Sequence, residues 1–569
     1  MGFANLLTFV PMSAIILYIT QLRRIFMYSF DRLSYSIRGS YLVSDSRSKG
    51  VLKLDMIHSH GRDIFNGILS INYGKDAKRG FVPREITAKF DGGEQNITMH
   101  GIDGTYIKGK GKDILIEIAK NHAKFDYQVI QNDVIEFCDF KNNCSMMFVP
   151  LKGRLELEKL RVPGQITSEF ANVHVYPDEN GEYELAIEID FLDKGAVVAK
   201  GMSYDYYADI AERDYIAWEK KFKCKNKYER ECAYIMWCNT IAPLGNFSTE
   251  AIVMGKAGMS NVWSWDNAFC SLALADVDYS MAMDQFMVMY KHINRVGRVP
   301  DAVSQNYKVW NFVKPPVQGW MYKQMMKRNP EFATPHALEE VYFDMKRNTD
   351  WWLNLRGEVP SYYHGNDSGQ DNSTCYDKSE HIETAELIAL LSVQCAFLSE
   401  AAEILNFKTD KRIYAQLADE LAEKAAKDYW DGEKIFTRLS ETGEAYYCNA
   451  LMPLRVIVLE DKLPKEIQEY IVKQIKEHHL CKGGIASEAL DSPMFIEDGY
   501  WRGAVWAPDV VMFVYALRNL GYTELADEIA ENYKSSVCKY GFSENTSAIT
   551  GKQLRCKGYS WAANAYQVL

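Results

Sequence analysis

No C-x-x-C pair occurs anywhere in the 569 residues, and no cysteine or histidine spacing has the form of a zinc site. The 12 cysteines are scattered, so they read as small buried residues in a reducing compartment, and no metal site is expected. The pairs His58/His60 and His478/His479 have no convincing partner set and read as surface or core histidines. There is no stripe of lysine and arginine interleaved with aromatics, and the net charge is -11, which argues against broad contact with nucleic-acid phosphates.

Positive charge is also missing from the start of the chain. The first 20 residues, MGFANLLTFVPMSAIILYIT, carry no charged side chain, and the first arginines are Arg23 and Arg24. A secretory leader carries its cations ahead of the apolar run, so this segment does not read as one. As a membrane anchor it would hold the rest of the chain in the cytoplasm. Alternatively, translation starts at Met27. Both readings give a cytoplasmic body that does not itself enter a membrane, preceded by an apolar extension or misassigned start over 1–26. The sequons at Asn96, Asn246 and Asn545 are then chance matches.

What is abundant is aromatic: 13% of residues, with 12 Trp and 35 Tyr. Such side chains fill cores, and they also form walls that stack on flat ligand faces. The length favours two or more domains. Over 27–205 the chain has strand habits, as in DILIEIA (113–119) and YELAIEIDF (183–191), with turn signals at Asp91-Gly92-Gly93, Asp103-Gly104 and Asn180-Gly181. This predicts an antiparallel β-sandwich. A linker helix region is expected over 206–227. From 228 to 569 helical periodicity dominates, with twelve segments near 228–242, 266–275, 279–293, 316–328, 337–355, 380–405, 408–429, 447–458, 464–478, 503–519, 523–537 and 559–568. Twelve helices are what an (α/α)6 toroid needs, so the expected fold is an N-terminal antiparallel β-sandwich followed by an all-α toroid.

Six loop-like stretches gather polar side chains, most of them with Trp: NVWSWDNAF (261–269), KPPVQGW (314–320), NDSGQDNSTCYD (366–377), EDGYWRGAVWAP (497–508), GFSENTSAITG (541–551) and KGYSWAA (557–563). Indole faces stack on the C–H faces of sugars, and carboxylates accept bonds from sugar hydroxyls. Taken one at a time, packing or turn chemistry explains each stretch. Asp371 alone reads as a turn or capping residue, and Glu544 alone as a solvated loop acid.

As an ensemble these stretches resemble glycoside hydrolase family 63 and its relatives, among them bacterial α-glucosidases and mannosylglycerate and glucosylglycerate hydrolases; the family 37 trehalases are a more remote likeness. The resemblance covers roughly 228–569. It implies that Asp371, in Ser368-Gly369-Gln370-Asp371-Asn372-Ser373-Thr374, is the general acid and that Glu544, in FSENTSAITG, is the general base. It matches Trp263, Trp265 and Asp266 to a sugar-binding W-x-W-D loop, and Tyr500, Trp501 and Trp506 to a pocket wall. Arg502 is weighed between a strut behind that wall and a sugar contact. Lys314, Gln318, Trp320, Gly369 and Trp561 complete the candidate substrate-binding set. Glu488 is read as either a rim residue or a structural one, and Asp367 is expected to face away from the pocket.

Two departures stand out. The family often has Pro where this chain has Thr374, and Gln where it has Lys314. Lys314 is read as a solvated lysine, the alternative being a cation that meets an anionic aglycone such as glycerate. The resemblance implies an inverting exo-acting α-glycosidase, an α-glucosidase on short oligosaccharides or a glucosylated small molecule, with a small carbohydrate as its partner and no cofactor. A glycosylglycerate or trehalose-type hydrolase, a glycoside phosphorylase and a non-catalytic carbohydrate-binding protein are the alternatives.

Overall fold

The computed structural model describes residues 27–48, 50–57, 68–118, 126–140, 144–161, 163–164, 168–190 and 203–569. Residues 1–26, and with them the apolar segment, lie outside the described residues, as do His58 and His60.

Two antiparallel sheets occupy the N-terminal part. One has six strands in the spatial order Leu42–Ser48, Val51–Met56, Leu69–Asn72, Ile114–Ile118, Ser168–Tyr176, Arg154–Arg161. The other has eight, in the order Lys78–Val82, Glu85–Phe90, Gly93–His100, Gly104–Gly111, Glu182–Asp190, Cys144–Lys152, Val134–Asp139, Tyr127–Gln131. The alternation read in YELAIEIDF holds over its described part, 183–190: Tyr183, Leu185, Ile187 and Ile189 are all buried and face the sandwich core with Ile97, Ile107, Leu52 and Ile116. Gly92, at φ +81, makes the tight turn between Glu85–Phe90 and Gly93–His100.

Helix α1 (Tyr204–Phe222) covers the outer face of the eight-stranded sheet, packing Tyr204, Tyr207 and Ala208 on Tyr106, Met147 and Val149. Ser203 caps its first turn. The chain then enters a ring of helical hairpins. Its inner members are α3 (Asp266–Leu274), α5 (Gln318–Arg328), α7 (Ala385–Ile404), the 3-10 segment Met452–Lys462, α10 (Ala507–Asn519) and α12 (Ser560–Val568). Each packs on the next, and α12 packs back on α3, so the ring closes. Outside them lie α2 (Lys227–Asn239), α4 (Tyr279–Met287), α6 (Pro335–Leu355), α8 (Lys408–Lys427), α9 (Lys465–Gln474) and α11 (Thr523–Tyr540).

Position in the ring explains sequence character. The inner helix α7 is apolar all round because it is packed all round; by length and composition it would suit a membrane, yet most of it is buried in the ring. The outer helix α8 is amphipathic, with Tyr414, Ala418, Leu421 and Ala422 turned inward. At the centre, Arg455 is fully buried between Glu386 (2.7 Å) and Asp509 (2.6 Å), so three inner elements are tied by one guanidinium. Its removal would leave two uncompensated carboxylates in the core.

Candidate active site

The loops that precede the inner helices converge on one mouth of the ring. A cavity of about 340 Å³ opens there, and among its lining residues are Trp263, Trp265, Asp266, Asp301, Lys314, Gly369, Asp371, Tyr500, Trp501, Glu544 and Trp561. All of the lining comes from residues 258–561, so among the described residues the sandwich adds nothing to it.

Each acid is presented by local structure that its neighbours dictate. Asp371 follows Gly369, which has φ +71 and lies against the Trp265 indole. Around it, Gln370 donates to Asp509 at 3.2 Å, hooking the loop onto the buried Arg455 network. Asn372 accepts the Trp501 N–H at 2.9 Å and donates to Gly499 O at 3.0 Å, binding the acid loop to the Trp501 loop. Thr374 donates to the buried Glu488 carboxylate at 2.7 Å. Glu488 also accepts from Ser492 at 2.6 Å, so it is a strut and not a rim contact.

Glu544 lies on the strand Ser543–Thr546, paired with Gln553–Lys557. It sits at a register shift in that pairing, and such a bulge re-aims a side chain. The Trp561 indole donates to the Glu544 carbonyl at 2.7 Å and fixes the backbone at that point. Asp266 is the first residue of α3, where the helix N-terminus favours a carboxylate.

Burial nevertheless dominates the electrostatics. It pushes Glu544 up to about 7, against a backbone bond from Cys556, the charge of Arg555 and a bond from Tyr500; the charge of Asp371 adds to the rise. Burial likewise raises Asp266 to about 8 and lifts Asp371 above the usual carboxylate range, in both cases against Lys314. Glu544 and Asp266 are therefore poised to exchange protons near neutral pH, and Asp371 holds its proton more tightly than an exposed aspartate.

The indoles form one assembly. Trp501 stacks on Trp506 with centroids 3.9 Å apart and planes 7° apart, and Trp265 and Trp561 meet edge to face at 6.0 Å. Tyr500 is held at φ +64, a left-handed conformation uncommon for tyrosine, beside the stack.

Four candidates from the sequence do not line the cavity. Trp506 is buried behind Trp501 and donates to Tyr500 O at 3.2 Å. Gln318 donates to Ser264 O at 3.0 Å and steadies the W-x-W-D turn from below. Trp320 packs in the ring against Tyr515. Arg502 pairs with Asp377 and donates to Asn372 O at 2.9 Å, which is the strut role. Asp367, as expected, faces away: it accepts the Val313 and Tyr363 N–H groups, each at 3.0 Å, and pairs with Arg356.

Lys314 corrects an expectation. It is not solvated: its side chain is 6% exposed and pairs with Asp301 at 2.8 Å, while also donating to Asn366 O at 2.8 Å. A cation surrounded by Asp301, Asp371 and Asp266 gains more from those charges than it loses by leaving water. Asp301, Asn261, Tyr307, Phe312, Asn366 and Tyr559 also line the cavity and were not singled out from sequence. The small sheet joining Val262–Trp263, Ala302–Val303 and Lys308–Val309 brings Asp301 and Tyr307 to Trp263 across about forty residues of chain; no local motif announces that pairing. Among the described residues, no three His, Cys, Asp or Glu side chains form a group able to hold a metal ion. His478 pairs with Asp491 at 2.9 Å, and His479 is buried against Ala486 O at 2.9 Å.

A closed ring of helical hairpins, with carboxyls and indoles at one mouth, is the architecture of a six-hairpin glycosidase, and the chain is a glycoside hydrolase. It belongs to the mannosylglycerate hydrolase MGH1-like glycoside hydrolase family, whose sequence profile matches residues 259–562, a little over half the chain. Solved structures agree on the fold. The GH63 mannosylglycerate hydrolase of Thermus thermophilus, in complex with Tris and D-glycerate, superposes with a TM-score of 0.54 at 16% identity over 60% of this chain and 99% of its own. A bacterial glucoamylase complexed with acarbose superposes with a TM-score of 0.63 at 11% identity, over 95% of this chain and 94% of its own. An uncharacterized protein of Saccharomyces cerevisiae is 32% identical over 133 residues, a stretch that covers 21% of this chain and 11% of the yeast protein's length.

Proposed function

We propose that this hydrolase is an inverting, exo-acting α-glycosidase in which Asp371 protonates the leaving oxygen and Glu544 activates water. The observation that carries the reading is that two carboxyls far apart in sequence, one on a loop and one on a strand, line one cavity, both lifted by burial above the usual carboxylate range. Cleaving an acetal with inversion needs one acid and one base with water between the base and the sugar; such pairs stand about 6.5–9.5 Å apart. Asp266, at the cavity floor, accepts sugar hydroxyls, and the indoles of Trp265 and Trp501 give the C–H faces of the ring a wall.

A cavity of this size suits one terminal sugar with a small aglycone, which supports exo action. Because Asp301 already occupies Lys314, the cation is not free for an acid, and an α-glucoside with a neutral aglycone is the first reading for substrate. The second reading is a glycosylglycerate hydrolase. It is favoured by the presence of Lys314 inside the cavity and by the likeness to a mannosylglycerate hydrolase. A phosphorylase would need to hold phosphate where Glu544 stands, and a carboxylate there disfavours it. The twelve free thiols suit a reducing compartment, which supports a cytoplasmic location.

The test is a turnover panel with purified protein: α-linked glucobioses, trehalose, glucosylglycerate and mannosylglycerate, each with and without phosphate. Release of free sugar without phosphate from one of the neutral glucosides supports the first reading. Release from the glycerates alone moves the assignment to the second. Release only with phosphate, or none, defeats both.

A further inference from the structure

A second concavity, of about 430 Å³, adjoins the first and shares Phe312 with it. Lys314, Asn366 and Asp371 line only the first cavity, whereas Arg298, Arg356 and Asp367 line only the second. Phe312 and His364, with ring centroids 4.9 Å apart, both stand in its wall.

The charges in this second space do not balance. Asp367 is fully committed, to two backbone N–H groups and to Arg356. Arg356 is thereby neutralised; it also donates to Ser361 O at 3.2 Å and lies 3.6 Å over the Tyr363 ring. Arg298 has no carboxylate partner among the described residues. Its Nη2 donates to Phe312 O at 3.3 Å, while its Nε, shut off from solvent, has no acceptor among them. The guanidinium lies 5.7 Å from the Trp351 ring centroid. His364, also in the wall, accepts the Asn366 N–H on Nδ1 at 3.0 Å, which places the proton of its neutral ring on Nε2. Burial and the charge of Arg356 hold Arg298 below its ordinary range, outweighing the opposite pull of Asp367 and Asp301.

We infer that this concavity is a second small-molecule site that takes a carboxylate or phosphate group on Arg298, with the body of the ligand against Trp351 and Tyr363. A guanidinium offers a planar fork that matches either anion. Tyr363 is 44% exposed and Leu355 54% exposed, so the site has an open, apolar rim through which a ligand enters. The anion has two sources: a free small acid, or the acidic end of a glycoside whose sugar lies across Phe312 in the first cavity. The inference stands on the second concavity alone and does not require the proposed reaction.

The experiment is thermal melting of the full chain with benzoate and with inorganic phosphate, on wild type, Arg298→Lys, Arg298→Gln and Tyr363→Ala. Expected is a saturable rise in melting temperature with at least one probe in wild type and in Arg298→Lys. Arg298→Gln should need at least tenfold more of that probe, and the exposed-wall variant Tyr363→Ala should weaken benzoate similarly. Inhibition of glycoside turnover assigns the source: non-competitive, Arg298-dependent inhibition identifies a free anion, and competitive, Arg298-dependent inhibition identifies the acidic end of a substrate. No saturable stabilisation by either probe overturns the inference. An unchanged midpoint in Arg298→Gln, with circular dichroism showing it folded, or in Tyr363→Ala, overturns it equally.

Discussion

Gly369 lies flat against the indole of Trp265: a Cβ built on it would stand 2.6 Å from Cζ2 of that ring. The same glycine is in the left-handed region, at φ +71, two residues before Asp371. The Asp371 loop and the Trp265 loop thus touch through a position where no side chain fits. Gly369→Ala forces either the indole or the acid loop to move. It is expected to cost about 1–3 kcal/mol in stability from the clash and the backbone conformation together. Turnover should fall at least tenfold, since a displacement of about 1 Å at a catalytic group costs about that or more. Thermal melting and kcat on the preferred glycoside check both.

Asp371→Asn keeps the side chain's shape and removes its proton donor. On a glycoside with a sugar or polyol leaving group, kcat should drop by about 10²–10⁴. On an α-glycosyl fluoride, which leaves without a proton, the loss should be at least tenfold smaller. Equal losses on the two substrates would remove Asp371 from the acid role.

Glu544→Ala should lose turnover on both substrates, because water activation is needed whatever leaves. Azide should restore rate and give the glycosyl azide of inverted configuration. In the wild type the base must be ionised, and burial pushes Glu544 up to about 7. Activity should therefore fall as pH drops below about 7, and a pH profile of kcat/KM reads this limb directly.

Asp266 titrates at about 8 in the folded chain, against 3.8 for an exposed aspartate. The unfolded chain gives up this proton first as pH rises, so the group's contribution to stability is complete below about 4 and is lost progressively up to about 8. Asp266→Asn does not titrate. The difference in melting temperature, variant minus wild type, should become more positive from pH 4 to pH 8, equivalent to a few kcal/mol. Activity should fall with it, as the amide puts an NH2 donor where a carboxyl oxygen accepts a sugar hydroxyl. A difference that does not vary with pH would contradict a buried, protonated Asp266.

Fold and site were legible to different depths. The helical ring could be read because helical periodicity runs through 228–569, from the apolar inner helix α7 to the amphipathic outer helix α8, and because glycine- and asparagine-containing turns separate the strands of the sandwich. The acid loop, the Trp loops and the Glu544 strand were visible because polar and aromatic residues are concentrated there. Asp301 and Tyr307 were not, since only the pairing of Val262–Trp263 with Ala302–Val303 brings them to the cavity. Lys314 was misjudged for a related reason: its environment is set by Asp301, thirteen residues away and outside any motif. Trp506 reads as a wall residue and Trp320 as a substrate-binding one, yet sequence cannot tell the indole that faces a cavity from the one that supports it.

The central claim is that one carboxyl donates a proton while another activates water on the opposite face of the sugar. Proton NMR of the first minutes of turnover of an α-glucoside reads this through the anomeric signal of the released glucose, before mutarotation mixes the anomers. The mechanism requires β-glucose to appear first, without phosphate. Initial release of α-glucose would mean retention through a covalent intermediate and would contradict the roles given to Asp371 and Glu544.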